Sequence, residues 1–279
     1  MKEKSIATPA PIRVWLRDSA EQLARVGIPS ALLDAEIILA HTLRKSRTWL
    51  HAHDDELVSP RHLDIANARL ALRLDRVPIA YIIGHKEFYG RLFKVTPSVL
   101  IPRPESEEII TLIKKYVTHG TLVDVGTGSG CLGITAKLEI PALRVILIDT
   151  SRFALTVARE NAVNLHADVM AQRSDLLSEI DTPLDAIIAN LPYVDRSWDV
   201  SPETSHEPND ALYADDNGLH LIFKLLDQVP TRLLPSGTLL LEADDRQHAA
   251  IIDYAQKRGL EQLETSGLIV ALKKTERNP

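Results

Sequence analysis

The chain has 279 residues, 45% hydrophobic and 25% charged, a balance that fits a globular protein with one large α/β domain and a smaller one. Its formal charge of −6 argues against a generic grip on nucleic-acid phosphates, and its one cysteine, Cys131, excludes an internal disulfide framework and fits a reducing compartment. No run approaches the ~18 apolar residues of a membrane span, and residues 1–9 have a charged start without an apolar core, so neither an anchor nor a signal peptide is expected and the location is read as cytoplasmic.

Residues 1–85 read as helical, with twelve Lys and Arg against ten Asp and Glu, leaving the remainder of the chain at −8. That asymmetry names no partner; it only permits this part to approach something acidic. Residues 31–43 place Leu32, Ala35, Glu36, Leu39 and Leu43 near one helical face, with Ile38 widening it and Ser30 as the N-cap. Residues 62–74, after Ser59-Pro60, repeat apolar positions at Leu63, Ala66, Leu70 and Leu74. Such a bundle is a packing module or, on the sharper reading, a docking module for a partner.

A hairpin is expected around Gly90 within residues 87–95, followed by the extended connector Ile101-Pro102-Arg103-Pro104, since each proline disfavours helix in the residue before it. The predicted division is therefore 1–85 helical, 86–104 hairpin and linker, and 105–279 the main domain. Residues 105–117 read as a helix burying Ile109, Leu112, Ile113 and Tyr116. Strands at 121–125, 144–149, 168–172, 185–190 and 237–242, and two near the C-terminus, alternate with helices at 130–138, 152–164, 219–226 and 246–257. That alternation implies a parallel sheet covered on both faces.

Two stretches carry chemistry. The first is Val123-Asp124-Val125-Gly126-Thr127-Gly128-Ser129-Gly130, where a strand ends and a helix opens. Its glycines allow positive φ and close approach of a ligand, and point to an adenosine-containing compound. The pattern is G-x-G-x-G and lacks the last spacing of the dinucleotide fingerprint. Asp149, at the end of the next strand, can accept both ribose hydroxyl hydrogens, or cap the helix that starts near Arg152. Asp175 can accept the exocyclic amine of adenine with Leu176 covering the ring, or can be a plain loop carboxylate. Asp124 is placed to tether loop amides, and Cys131 reads as a small buried residue.

The second stretch is Asn190-Leu191-Pro192-Tyr193, at the end of the fourth strand. A carboxamide or aryl amine is a poor nucleophile because its lone pair is delocalised. Two acceptors that hold its N–H hydrogens, the Asn190 side-chain oxygen and the Leu191 carbonyl, would turn the nitrogen toward an S–CH₃ bond and favour a more tetrahedral transition state. Pro192 stiffens the turn, and Tyr193 offers a flat face to a planar group or to the sulfonium methyl. The bland alternative is a strand-to-loop turn with a packed tyrosine.

With these residues in place the chain resembles the HemK/PrmC family of S-adenosylmethionine-dependent protein-(glutamine-N5) methyltransferases. The resemblance rests on Asp34-Ala-Glu-Ile-Ile-Leu39, Glu87-Phe-Tyr-Gly90, Leu100-Ile-Pro-Arg-Pro-Glu105, the loop Asp124 to Gly130, Glu207-Pro208 and Ala211-Leu212. It implies an α/β fold of the class I methyltransferase type, a Rossmann-like seven-stranded sheet with its last strand inserted antiparallel, preceded by a helical domain that docks a peptide chain release factor. The acceptor would be the glutamine of the release factor's Gly-Gly-Gln motif. By position, cofactor contacts fall on Gly126, Thr127, Gly128, Ser129, Gly130, Asp149, Asp175, Leu176 and Asn190. The catalytic and substrate contacts fall on Asn190, Leu191, Pro192 and Tyr193.

Two departures stand out. The family's turn is usually Asn-Pro-Pro-Tyr; Leu191 keeps the carbonyl but adds an N–H and loosens the turn. Residues 264–270 also join the last two strands abruptly, where the family has a longer polar connection.

Asn-Leu-Pro-Tyr also resembles the motif of ribosomal RNA adenine-N6 dimethyltransferases, but those enzymes tend to be basic and carry their helical domain after the core. A nicotinamide-dependent dehydrogenase and a catalytically silent binding protein are further alternatives. No metal is expected: the ten histidines, His51 and His53 included, show no ligand spacing. A monomer without membrane or direct nucleic-acid contacts is the expected state.

Overall fold

The computed structural model describes residues 9–276, and the N-terminal stretch read above for a signal peptide falls almost wholly outside them. The described residues divide into two compact units, residues 9–84 with 201–206, and residues 85–200 with 207–276. The hairpin and connector at 86–104 lie within the second unit.

In the first unit, β1 (Ala10–Pro11) pairs antiparallel with β2 (Leu57–Val58), and five helices surround one core: α1 (Ile12–Arg25), α2 (Ala31–Leu43), α3 (Arg47–Ala52), α4 (Pro60–Leu74) and α5 (Ile79–Ile83). Ser46 and Ser59 cap α3 and α4 by accepting from the Trp49 and His62 amides. Ser30 holds the N-cap position of α2 without a side-chain cap bond, contrary to expectation.

The buried face of α2 is also shifted from the one expected. Ala35, Ile38 and Leu39 are fully buried, whereas Leu32 is 54% exposed. Asp34 turns inward instead, and Glu36 is buried on the face where it was placed, because each meets a cation. Arg73 Nε donates to Asp34 at 2.7 Å, and Arg47 donates to Glu36 at 2.6 Å. Arg73 and Arg76 also donate to Glu203, whose carboxyl is pushed up by burial yet held at about 2 by Ser201 and these two guanidiniums. Removing Arg73 would leave Asp34 buried and unpaired, a change that costs about 3–5 kcal/mol in buried pairs.

The second unit begins with the hairpin of β3 (His85–Phe88) and β4 (Arg91–Lys94), which turns through Tyr89 and Gly90, both at positive φ. A single 3₁₀ turn at Pro104–Ser106 leads into α6 (Glu107–Tyr116). Then follow β5 (Gly120–Val125), α7 (Cys131–Glu139), β6 (Leu143–Asp149), α8 (Arg152–Asn164), β7 (Val169–Arg173), β8 (Leu184–Ala189), α9 (Asn209–Leu212), α10 (His220–Arg232), β9 (Leu233–Glu242), α11 (Asp245–Gln256), β10 (Leu260–Ser266) and β11 (Ile269–Lys274).

The sheet order is β10-β11-β9-β8-β5-β6-β7, with β11 antiparallel to both of its neighbours and the pairs from β9 to β7 parallel. This is the Rossmann-like class I methyltransferase sheet that the family resemblance implied. Successive strand residues feed opposite faces: Val123, Ile146 and Ile148 pack with α10 and α11, while Leu122, Val145 and Leu147 pack with α6, α7 and α8. Helix α10 runs past the expected end at Leu226 to Arg232, carrying Pro230 in its last turns, because Val229 continues its buried face. The abrupt join at 264–270 is a tight reversal through Gly267 and Leu268.

Candidate active site

At the C-terminal ends of β5, β6 and β8, where the strand order reverses, the second unit holds a cavity of about 300 Å³. Open α/β sheets bind ligands at such switch points. Gly126, Thr127, Gly128, Ser129, Asp149, Asp175, Leu176, Asn190, Leu191 and Pro192 line it. Gly130 and Tyr193 do not.

The glycine loop is shaped by its own backbone. Gly126, Gly128 and Gly130 all have positive φ, and the Thr127 amide donates to Ile148 O. Asp124 lies under the loop, accepting from Thr127 Oγ1 at 2.6 Å and from the Gly133 amide at 2.9 Å, so it tethers as expected. Burial pushes its carboxyl up to about 6, against those two donors. Gly130 serves packing: a Cβ there would strike Ile134 and approach Ala158. Ser129 is buried and its Oγ has no hydrogen-bond partner.

Asp149 accepts from the Gly128 amide at 3.0 Å and from Ser151 N at 2.8 Å. Its carboxyl is raised by burial, opposed by these amides, and raised further by Asp210 on the same cavity. Both readings of Asp149 therefore have a structural basis: it braces the loop and the start of α8, and it still lines the cavity. The Asp175 carboxylate is exposed and accepts from Lys224 Nζ at 2.6 Å, while Leu176 is buried. Cys131 is half-buried on the cavity wall, and burial pushes its thiol up to about 12, which disfavours the thiolate.

The turn after β8 is held from outside itself. Asn190 Nδ2 donates to Ser106 Oγ at 3.0 Å, which leaves Oδ1 on the opposite side of the amide. Tyr193 donates its hydroxyl to Glu242 Oε1 at 3.1 Å, and its carbonyl accepts from Gln247 Nε2 at 2.8 Å. The loosening expected from Leu191 is countered by packing, since the residue is 4% exposed and joins the apolar cluster on the α10 face. The connector is fixed likewise: Glu207 accepts from Ile101 N at 3.0 Å and from Arg103. Ser106, Arg103, Glu207, Asp210 and Glu242 all escaped the site reading of the sequence. Only the resemblance around residues 100–105 and 207–208 pointed near them.

Among the described residues no group of three or more His, Cys, Asp or Glu side chains is placed to hold a metal ion, and no helix is long and apolar enough to cross a membrane.

Comparison with known proteins gives the geometry its context. Residues 14–84 match the family of the PrmC N-terminal domain, and residues 106–207 match the methyltransferase small domain. A release factor glutamine methyltransferase of Koribacter versatilis is 36% identical over 234 residues, covering 81% of this chain and 84% of the relative. One of Vibrio cholerae is 34% identical over 264 residues, covering 91% of each. A methyltransferase structure from Pyrococcus furiosus aligns with a TM-score of 0.53 at 18% identity, over 75% of this chain and 98% of the other, and shares the fold. With such identity along most of both chains, the protein belongs to the family of release factor glutamine methyltransferases.

Proposed function

We propose that the protein transfers a methyl group from S-adenosylmethionine to the side-chain amide N5 of the glutamine in the Gly-Gly-Gln motif of peptide chain release factors. The observation that carries this reading is the Asn190 amide. Its Nδ2 is committed to Ser106, which leaves Oδ1 as an acceptor on a residue that lines the same cavity as the glycine loop.

The residues fit the cofactor. The three loop glycines let backbone approach it, Asp149 faces the cavity where ribose hydroxyls would sit, and the unpartnered Ser129 hydroxyl is a free polar group in the loop. On the lining Arg103 is paired with Glu207 and Asp175 with Lys224, which leaves Asp149 and Asp210 as the carboxylates without a paired cation, so the cavity favours a cationic ligand. S-adenosylmethionine supplies a methyl group on a positively charged sulfur. Asn190 Oδ1 and the Leu191 carbonyl accept the hydrogens of the substrate amide and orient its nitrogen, and Pro192 limits the turn's freedom. Tyr193 works from behind the cavity wall, through its hydroxyl on Glu242. No strong base is required, since the amide proton becomes acidic as the new bond forms.

Residues 1–85 dock the release factor, and the protein works as a cytoplasmic monomer without direct nucleic-acid contacts. Calorimetry with S-adenosylmethionine and with NAD separates methyl from hydride transfer; the reading expects binding of the first alone. Labelled methyl offered to release factor and ribosomal RNA together should appear in the protein, and label confined to the RNA would overturn the assignment.

A further inference from the structure

Glu242 ends β9, the last residue of the run Thr238-Leu-Leu-Leu-Glu242, and is 1% exposed. One carboxylate oxygen accepts from Tyr193; the other, Oε2, has no hydrogen-bond partner. Burying a carboxylate with an unmet oxygen is costly, so a residue of this kind in an apolar strand calls for a reason. Its surroundings supply one. Burial raises its carboxyl, Glu105 adds to this, and the neighbouring Ser106 hydroxyl, Tyr193 hydroxyl and Asn190 amide oppose it. The donor to this carboxylate, Tyr193, belongs to the acceptor turn, and Ser106 holds that turn through Asn190.

We propose that Glu242 is a positioning residue that, through Ser106, fixes which way the Asn190 amide faces. A carboxylate only accepts hydrogen bonds. The unmet Oε2 is then the acceptor for the Ser106 hydrogen; with that bond made, Ser106 has lone pairs alone to offer Asn190, so Nδ2 faces Ser106 and Oδ1 faces the substrate. A glutamine at position 242 presents an NH₂ that can donate to Ser106. The Ser106 hydrogen is then free to bond Asn190 Oδ1, and the flipped amide would point N–H groups at a substrate that itself needs acceptors.

The inference rests on the proposed reaction. In steady-state release-factor methylation, E242Q and S106A are each expected to lower kcat by about tenfold or more, with S-adenosylmethionine affinity unchanged. S106T, which keeps the hydroxyl, should restore turnover, and the S106A/E242Q double variant should be no worse than the poorer single one. Should E242Q fail to fold, E242D, whose shorter side chain draws the carboxylate back from Ser106, takes its place and should lower turnover and speed Asn190 exchange in the same way. A second readout needs no substrate: the Asn190 side-chain NH₂ signals, identified by their absence in Asn190→Ala, should exchange slowly with solvent in the wild type and faster in S106A and E242Q. Variants that match the wild type in turnover and exchange overturn the role of Glu242. A wild type that leaves release factor unmethylated while showing the exchange difference counts against the reaction and not against the positioning.

Discussion

The glycine loop and the acceptor turn lie on one cavity but are built by opposite means. The loop takes its shape from close by: three positive-φ glycines and Asp124 beneath lie within a few positions of it, and Asp149 is on the next strand, 21 positions after Gly128. The turn takes its shape from afar. Asn190 is held by Ser106, 84 positions earlier, and Tyr193 by Glu242 and Gln247, 49 and 54 positions later. A backbone-shaped site can thus be read locally, whereas a side-chain-held site depends on the whole sheet being in register.

The largest expected effect breaks the turn alone. Asn190→Ala removes one amide acceptor and should lower kcat by about 10²–10³-fold, the usual cost of one preorganised hydrogen-bonding group, while leaving S-adenosylmethionine affinity within a few-fold in calorimetry. Gly218→Ala attacks the same turn from behind. Gly218 has a φ of 82°, and a Cβ there would lie 1.9 Å from the Tyr193 carbonyl oxygen. Denaturant unfolding should show a loss of about 3 kcal/mol or more, with turnover falling further than cofactor binding.

The loop can be probed by pH. The Asp124 carboxyl is raised from 3.8 to about 6, so between those values the folded protein binds more protons than the unfolded chain, and stability falls as pH rises. That window corresponds to a contribution on the order of 3 kcal/mol. Asp124→Asn should flatten the decline between pH 4 and 6 when unfolding free energies are measured across that range; an unchanged slope would show that Asp124 does not titrate there. The smallest effect tests where the two regions touch. A Cβ on Gly126 would lie 3.0 Å from Leu191 Cδ2, so Gly126→Ala should cost about 1–2 kcal/mol, and adding Leu191→Ala should relieve the steric part while the φ penalty stays.

The same contrast explains what was legible in the sequence. Helices Ala31–Leu43 and Arg152–Asn164 were bounded to the residue, because periodicity and end signals are local. The glycine loop, Asp149 and the acceptor turn, singled out by their order along the chain, meet on one cavity. Ser106 and Glu242 could not be picked out, since a serine after Pro-Glu and a glutamate ending an apolar strand look ordinary until the sheet brings them under Asn190. Leu32 was misplaced for a related reason: hydrophobic counting cannot see that Arg73 lies ready to receive Asp34. Gly130, grouped with the cofactor glycines, faces α8 instead, which only the packing reveals.

The most direct test of the account is mass spectrometry of the Gly-Gly-Gln peptide from release factor incubated with S-adenosylmethionine and either wild-type protein or Asn190→Ala. The account predicts one added methyl group on the glutamine side-chain amide with the wild type and almost none with the variant. An unmodified glutamine with the wild type, or full modification by Asn190→Ala, would contradict it.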